Sequence, residues 1–326
     1  MTIHQARRLF LVLIGIVVAG AGAAESAGQE TPGPEKVSAA HLPNPWRIHA
    51  KVISGGLPEG PEAFAELQRL GIKTIISVDG AKPDVKLAKE YGLRYVHLPH
   101  GYDGVPEERA AELAKAVRDL PGPIYIHCHH GKHRSPAAAT VACVGAGLLP
   151  PERARGVLEA AGTSENYRGL YDSAEAARPL ETAWLDALQV EYRETVKVPP
   201  MAQAMIEIEH TFDHLRAFSN NQWRKLDKQP ALDPAHEALI LREHYTELLR
   251  TEETKRQPAE FQQVLRDSEA SAQKLEILLA RWQKAGAAPP PPAELGATFK
   301  AVSQSCVTCH QSYRDVPQGE KRRSTR

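Results

Sequence analysis

The sequence predicts two domains of different class: an α/β domain built on a mostly parallel sheet, followed by an all-α four-helix bundle. Three observations carry that expectation. β-rich runs alternate with helix-patterned ones up to residue 188, β-branched clusters then give way to long amphipathic segments, and 326 residues at 42% hydrophobic composition suffice for two packed cores. Charge narrows the function: 40 Lys and Arg against 40 Asp and Glu leave no global field toward nucleic acid or anionic membrane, and 6% aromatic content supplies no base-stacking platform.

Residues 1–24 read as a targeting segment. Arg7 and Arg8 precede an apolar run over 9–18, and small residues with several Ala-x-Ala options follow through Ala24, the layout of a secretory signal. The run is shorter than the roughly 20 apolar residues a membrane span needs. Cleavage, export to the periplasm and a mature chain without a transmembrane helix are therefore expected. Arg7-Arg8-Leu9-Phe10-Leu11 also fits a twin-arginine signal, which leaves the route open between that and the general secretory one.

Residues 25–45 are rich in Gly, Pro, Ser and Ala without a core-forming period and read as a linker, so folding is expected to begin near Trp46. In the first domain, 46–188, the runs 51–54, 73–78, 94–98 and 124–127 are β-rich. Between them 61–70, 83–91 and 106–120 carry helical spacing with Pro near each start. Such βαβ alternation pairs strands in parallel and covers them with helices. A second linker, 189–198, leads to the bundle at 199–316. There 201–220, 234–253, 258–286 and 293–314 repeat apolar residues at three and four, as four antiparallel helices would. The prolines at 289–292 cannot continue a helix and mark the last connection, and 317–326 form a basic tail.

The strongest chemical pattern in the first half is His127-Cys128-His129-His130-Gly131-Lys132-His133-Arg134-Ser135, directly after a β-rich run. A Cys and an Arg separated by five residues, between strand and helix, can wrap a loop whose N–H groups point at one phosphate. Cys128 must be a thiolate to attack phosphorus, and a helix N-terminus favours that form. Arg134 can grip two phosphoryl oxygens at once, which Lys cannot. Ser135 can donate to the sulfur as it leaves, and Pro136 suits the first helical turn. His97, His100, His127, His129, His130 and His133 crowd this half, yet no carboxylate or Cys spacing accompanies them. No metal is expected there; His129, His130 and Lys132 instead add positive potential around an anionic substrate.

With these residues in place, the stretch from about 45 to 188 resembles cysteine-dependent phosphatases of the dual-specificity type, whose loop reads His-Cys-x5-Arg-Ser/Thr. Gly131-Lys132-His133-Arg134 is most similar to the atypical branch acting on phosphoproteins or inositol pyrophosphates. Ser54-Gly55-Gly56-Leu57-Pro58 and Leu70-Gly71-Ile72 match that family's opening strand and helix, whereas Pro136 stands where the branch usually has Gly. The resemblance implies a general acid on a loop upstream of the nucleophile, which here is Asp103, with His100 in reserve. Capping of the helix that starts near Pro106 is the competing role for Asp103.

Near the C-terminus stands Cys306-Val307-Thr308-Cys309-His310, the c-type haem attachment pattern. Two thiols three apart reach both vinyl groups, and His310 is placed to ligate the iron. A zinc half-site lacks a second Cys/His pair; a small disulfide is the other reading. Residues 199–314 resemble cytochrome c′ and its low-spin relatives, matching their Cys-x-x-Cys-His-x-x-Phe/Tyr-Arg through Tyr313 and Arg314. The resemblance implies one covalent haem c and no other metal, with Arg314 beside a propionate or the proximal imidazole. It also implies a distal residue on the first bundle helix. Met205 shares a face with Ile208, Phe212 and Leu215 and is the first choice, Met201 the runner-up, and a five-coordinate iron the third outcome. Cys143 reads as core packing or as an oxidative partner for Cys128. The combined expectation is an exported phosphatase hydrolysing phosphate monoesters of phosphoproteins or inositol phosphates, joined to a monohaem cytochrome with a redox partner protein. The rival is a cytochrome whose first domain only binds a phosphorylated ligand.

Overall fold

The computed structural model describes residues 33–288 and 290–324, so the targeting segment expected at 1–24 lies outside the described residues. Six strands, β1 (Glu35–Lys36), β2 (Trp46–His49), β3 (Val52–Gly55), β4 (Thr74–Ser77), β5 (Arg94–His97) and β6 (Ile124–His127), form one sheet in the order β1-β2-β3-β6-β4-β5. Pairing is parallel from β3 through β6 and β4 to β5, as the βαβ alternation predicts. It is antiparallel where β1 and β2 extend one edge, so the sheet is mixed.

The inner strands are apolar on both faces because helices cover both. Ile53, Ile75, Tyr95 and Tyr125 pack toward α1 (Gly60–Arg69) and α2 (Val85–Glu90). Val52, Ile76, Val96 and Ile124 pack toward α3 (Glu107–Asp119) and α4 (Arg134–Gly145), which α5 (Ala154–Ala161), α6 (Arg168–Ala176) and α7 (Thr182–Ala187) follow. Registers Gly55↔His127, Ser77↔His127 and Ser77↔His97 end the four parallel strands level with one another. The loops after them therefore emerge along one carboxyl edge, where open α/β sheets bind ligands.

Both expected linkers differ from expectation. Within 33–45 the chain forms β1 and buries Leu42, and the carboxylate of Glu66 on α1 accepts the N–H groups of Ala40 and His41 at 3.1 and 2.7 Å. Side chains from distant elements hold a segment whose own composition offers no core, so folding begins well before Trp46. Residues 189–198 run along the free edge of β5: His97 N–H donates to the Arg193 carbonyl at 2.9 Å and Val196 N–H to His97 Nδ1 at 3.1 Å. This covers an otherwise unpaired strand edge.

Beyond it come α8 (Pro200–Asn220), α9 (Pro234–Arg250), the short α10 (Glu252–Lys255), α11 (Ala259–Lys284) and α12 (Ala293–Cys309). α9 packs on α8 and α11, and α11 on α12, around Leu215, Phe218, Leu241, Leu275, Leu279 and Val302. The helix expected through 314 is α-helical only to Cys309. It widens into a π turn, His310–Arg314, closed by Asp315 N–H donating to the His310 carbonyl at 2.8 Å. The basic tail forms α13 (Gln318–Ser324). Contacts continue across the expected 189–198 boundary, and sheet and helices make one compact unit.

Candidate functional site

β6 delivers Cys128 to the carboxyl edge of the sheet, and α4 begins at Arg134, so residues 128–133 wrap around that helix N-terminus. The loop's carbonyls are bonded outward: His129 O accepts Leu57 N–H at 2.9 Å, Gly131 O accepts Asn44 Nδ2 at 2.9 Å, and Lys132 O accepts Thr163 Oγ1 at 2.7 Å. Among the described residues, no protein acceptor meets the N–H groups of His129, His130, Gly131, Lys132 or His133. Free donors gathered at a helix N-terminus are the kind of arrangement that takes an anion. Gly131 makes the turn possible: its φ is +71°, and a Cβ there would lie 2.4 Å from Gly56 N.

Cys128 is 3% exposed, with Sγ 3.3 Å from Ser135 Oγ. Ser135 donates its one hydroxyl proton to the Gly55 carbonyl at 2.8 Å, so it accepts from the Cys128 thiol. Support of the leaving thiolate, the task expected of Ser135, requires that hydroxyl to rotate. Cys143 is fully buried and its thiol is pushed up to about 12 by burial, which fits core packing.

Arg134 is nearly buried, and Asp79 Oδ2 accepts its Nη2 at 3.1 Å. Its guanidinium carbon stands 4.4 Å over the Tyr102 ring centroid, while its Nε lacks a hydrogen-bond partner. Burial would raise the Asp79 carboxyl, but Arg134, the Ala81 N–H and nearby histidines outweigh it and hold it below the usual carboxylate range. Sequence reasoning missed both Asp79 and Tyr102. An acid directly after a β-rich run, in Ser77-Val78-Asp79-Gly80, was the available clue.

Asp103 lies on the loop after β5 but turns toward the C-terminal tail. Its Oδ2 accepts Lys321 Nζ at 3.0 Å and its carbonyl accepts Gln318 N–H at 3.1 Å. It does not cap α3, whose N-cap position is Pro106 and carries no side-chain bond. His100 is pushed down to about 4, first by burial and then by the charge of Arg134. With Nδ1 bonded to the Gly101 carbonyl, its partnerless Nε2 is a bare lone pair at neutral pH, so His100 has no proton to give a leaving group. His133 is likewise pushed down to about 4 by burial and packs on Tyr167 at 4.5 Å. His129, His130, Lys132 and His133 line a cavity of about 670 Å³ together with Leu57 and Asp213. A larger one of about 910 Å³, between α3, α6 and the tail, is lined by Asp103, Val105, Glu108, Val141 and Trp184 and by none of residues 128–134.

At the other end of the chain Cys306 and Cys309 are free thiols, partly buried, with Cys306 Sγ 3.5 Å from the Tyr245 hydroxyl. The disulfide reading is not met. His310 opens the π turn and is pushed down to about 3 by burial, then by Arg314, so it stands as a neutral imidazole. Two unbridged thiols beside a neutral imidazole are the donor set a c-type haem takes. Met201, Met205 and Phe212 lie partly buried against the same apolar cluster as Cys309 and Tyr313. Arg314, expected beside a haem propionate or the imidazole, places its guanidinium carbon 4.0 Å over Tyr102 and its Nε on Asp315 at 2.6 Å. Tyr102 is therefore shared between Arg134 and Arg314.

No family model and no curated protein matches the chain. Solved structures similar to it include TpbA from P. aeruginosa, at 22% identity over 47% of this chain and 93% of that one, with a TM-score of 0.37. A putative phosphatase from Shewanella putrefaciens matches at 18% identity over 41% and 87%, TM-score 0.35. The core catalytic domain of the S. cerevisiae PP-IP phosphatase Siw14 matches at 17% identity over 58% and 99%, TM-score 0.32.

Proposed function

We propose that this chain is a cysteine-dependent phosphatase joined to a cytochrome c′-like four-helix domain, exported to the periplasm. One observation carries the phosphatase reading: a buried thiol at the start of a loop in which the N–H groups of residues 129–133 meet no acceptor among the described residues, beside an arginine whose Nε has no partner there. A phosphate monoester dianion satisfies both. The Cys128 thiolate attacks phosphorus and forms a phosphocysteine as the P–O bond breaks, with Asp103 protonating the departing oxygen. Water, deprotonated by the same carboxylate, then cleaves the S–P bond and releases inorganic phosphate. Arg134 and the loop N–H groups bind the oxygens throughout, and Ser135 turns its proton to the leaving sulfur. Phosphoproteins or inositol phosphates are the substrate classes the loop's likeness suggests.

In the helical half, Cys306 and Cys309 would hold one haem c and His310 its iron, with Met205, or else Met201, as the sixth ligand. The haem supplies one-electron or gas-binding chemistry when bound, exchanged with a redox partner protein. Export rests on the sequence of residues 1–24. The rival, a phospholigand-binding module on a cytochrome, is favoured by one contact: the carboxylate of Asp103 is engaged by Lys321.

Turnover separates them. The reduced protein should hydrolyse an aryl phosphate, Cys128→Ser should abolish this, Arg134→Lys should fail, and Asp103→Ala should hurt most with poor leaving groups. Equal activity in Cys128→Ser would overturn the mechanism. One reduced-minus-oxidised spectrum of the exported protein tests the haem, which Cys306→Ala with Cys309→Ala should abolish.

A further inference from the structure

We propose that His129 and His130 of the loop, with Glu209 of α8, form a binding site for a zinc-type divalent ion that ties the helical half to the mouth of the phosphate loop. Three observations carry it. The ligand atoms of His129, His130 and Glu209 all lie within 4.8 Å of one another. His130 Nε2 stands 3.7 Å from Glu209 Oε1 and His129 Nε2 3.8 Å from Asp213 Oδ2, too far for hydrogen bonds. Bonds of about 2.0–2.2 Å put the ligand atoms of a tetrahedral ion about 3.3–3.6 Å apart, so His130 and Glu209 close around an ion with a movement of a few tenths of an ångström and the other separations, all within 4.8 Å, with one of at most about 1.5 Å.

The donor set selects the metal. Two imidazoles and one carboxylate suit zinc and its neighbours, whereas magnesium and calcium prefer all-oxygen shells. Glu209 and Asp213 are one helical turn apart on the side of α8 that meets the two adjacent histidines, but Asp213, with Oδ1 held by Arg216, lies outside the group of three, which leaves the fourth position to solvent. The histidine backbones are fixed independently of any ion, since the carbonyl of His129 accepts Leu57 N–H and that of Gly131 accepts Asn44. No carboxylate accompanies these histidines along the sequence; the fold brings them from α8, some 80 positions later.

The inference stands whether or not the chain turns over phosphate, and its test reads binding. Full-length protein with Cys128→Ser, which removes the loop thiol as a competing ligand, is titrated calorimetrically with Zn²⁺ in excess Mg²⁺ and studied by zinc-edge X-ray absorption. One tightly bound equivalent with two imidazoles and no sulfur in its shell is expected. Glu209→Gln, at a half-buried position, should weaken binding at least about tenfold, and His130→Ala should do the same. Binding unchanged in both variants, no tight equivalent in the parent, or sulfur scattering that moves the ion to Cys306 and Cys309 would each overturn the site.

Discussion

Asp79 is the sharpest place to press on the loop, because it holds the arginine proposed to bind phosphate. Asp79→Ala removes the carboxylate bonded to the Arg134 guanidinium while leaving that guanidinium buried under Tyr102. Breaking a buried ion pair from one side costs about 3–5 kcal/mol, since an uncompensated charge remains. At about 2–4 °C per kcal/mol for a unit of this size, the melting temperature should fall by roughly 6–20 °C. Asp79→Asn keeps an acceptor oxygen and the shape, and should fall between. Inorganic phosphate is a second anion for the same guanidinium, so it should restore more stability to Asp79→Ala than to the parent. Because the Asp79 carboxyl is held low in the folded state, the pair's contribution is present above the unfolded value of about 4 and is lost as pH falls through the folded one. The difference between parent and Asp79→Ala should therefore shrink in acid. Thermal melts from pH 7 to pH 3, with and without phosphate, read all of this. Unfolding of Asp79→Ala within about 1 kcal/mol of the parent, or an equal phosphate effect in both, would refute Asp79 as what fixes Arg134.

Stability should also decline between pH 7 and pH 5 for a separate reason. His100 and His127 are fully buried and pushed to about 4, below their unfolded value, so the unfolded chain binds protons first and each residue costs roughly 2 kcal/mol by pH 5; a flat denaturation profile over that range would contradict it. Lys321→Ala frees the Asp103 carboxylate, and turnover of alkyl phosphates should rise by about tenfold relative to aryl ones, a fraction of what a positioned acid contributes; an unchanged ratio in steady-state assays would show that the tail does not restrain the acid. If the proposed haem takes Met205 as its sixth ligand, Met205→Leu should convert a low-spin ferric spectrum to a high-spin one that binds carbon monoxide more readily, and the same change from Met201→Leu instead would move the ligand one turn back.

Local patterns were legible wherever a residue's neighbours in sequence are also its neighbours in space. The strands around Ile75 and Tyr125 and the turn at Gly131 fall in this class, and each sits where its periodicity or spacing places it. Cys128, Arg134 and Ser135 are legible together because one loop carries them. Asp79 is not, since it meets Arg134 only after β4 and β6 pair, and an isolated acid at a strand end has no periodic signature. The segment 33–45 misled for the converse reason: its order comes from Glu66 and the sheet edge, neither of which its own Pro-rich composition announces.

The same distinction explains why the junction between the halves could not be read at all. Its contacts join residues from opposite ends of the chain: Arg314 with Tyr102, Lys321 with Asp103, Asp213 with His129, Glu209 with His130. Glu209, Asp213 and Lys321 each have an ordinary local reading, as the solvated face of an amphipathic helix or part of a basic tail, and the patterns around Arg314 and Asp103 point to other roles. Yet all four contacts fall on loops that the parallel strands deliver to one edge, so the helical half converges on the loop arginine, the candidate acid and the anion ring together. Tyr102 is the tightest of these points, because its ring carries both Arg134 and Arg314. A guanidinium over an aromatic ring gains about 0.5–2 kcal/mol, more when dry, so a displacement of the π turn that withdrew Arg314 would cost energy at a residue that also walls the phosphate arginine. The turn that begins at His310 and the loop that begins at Cys128 are in this sense mechanically adjacent, although 181 positions separate their first residues.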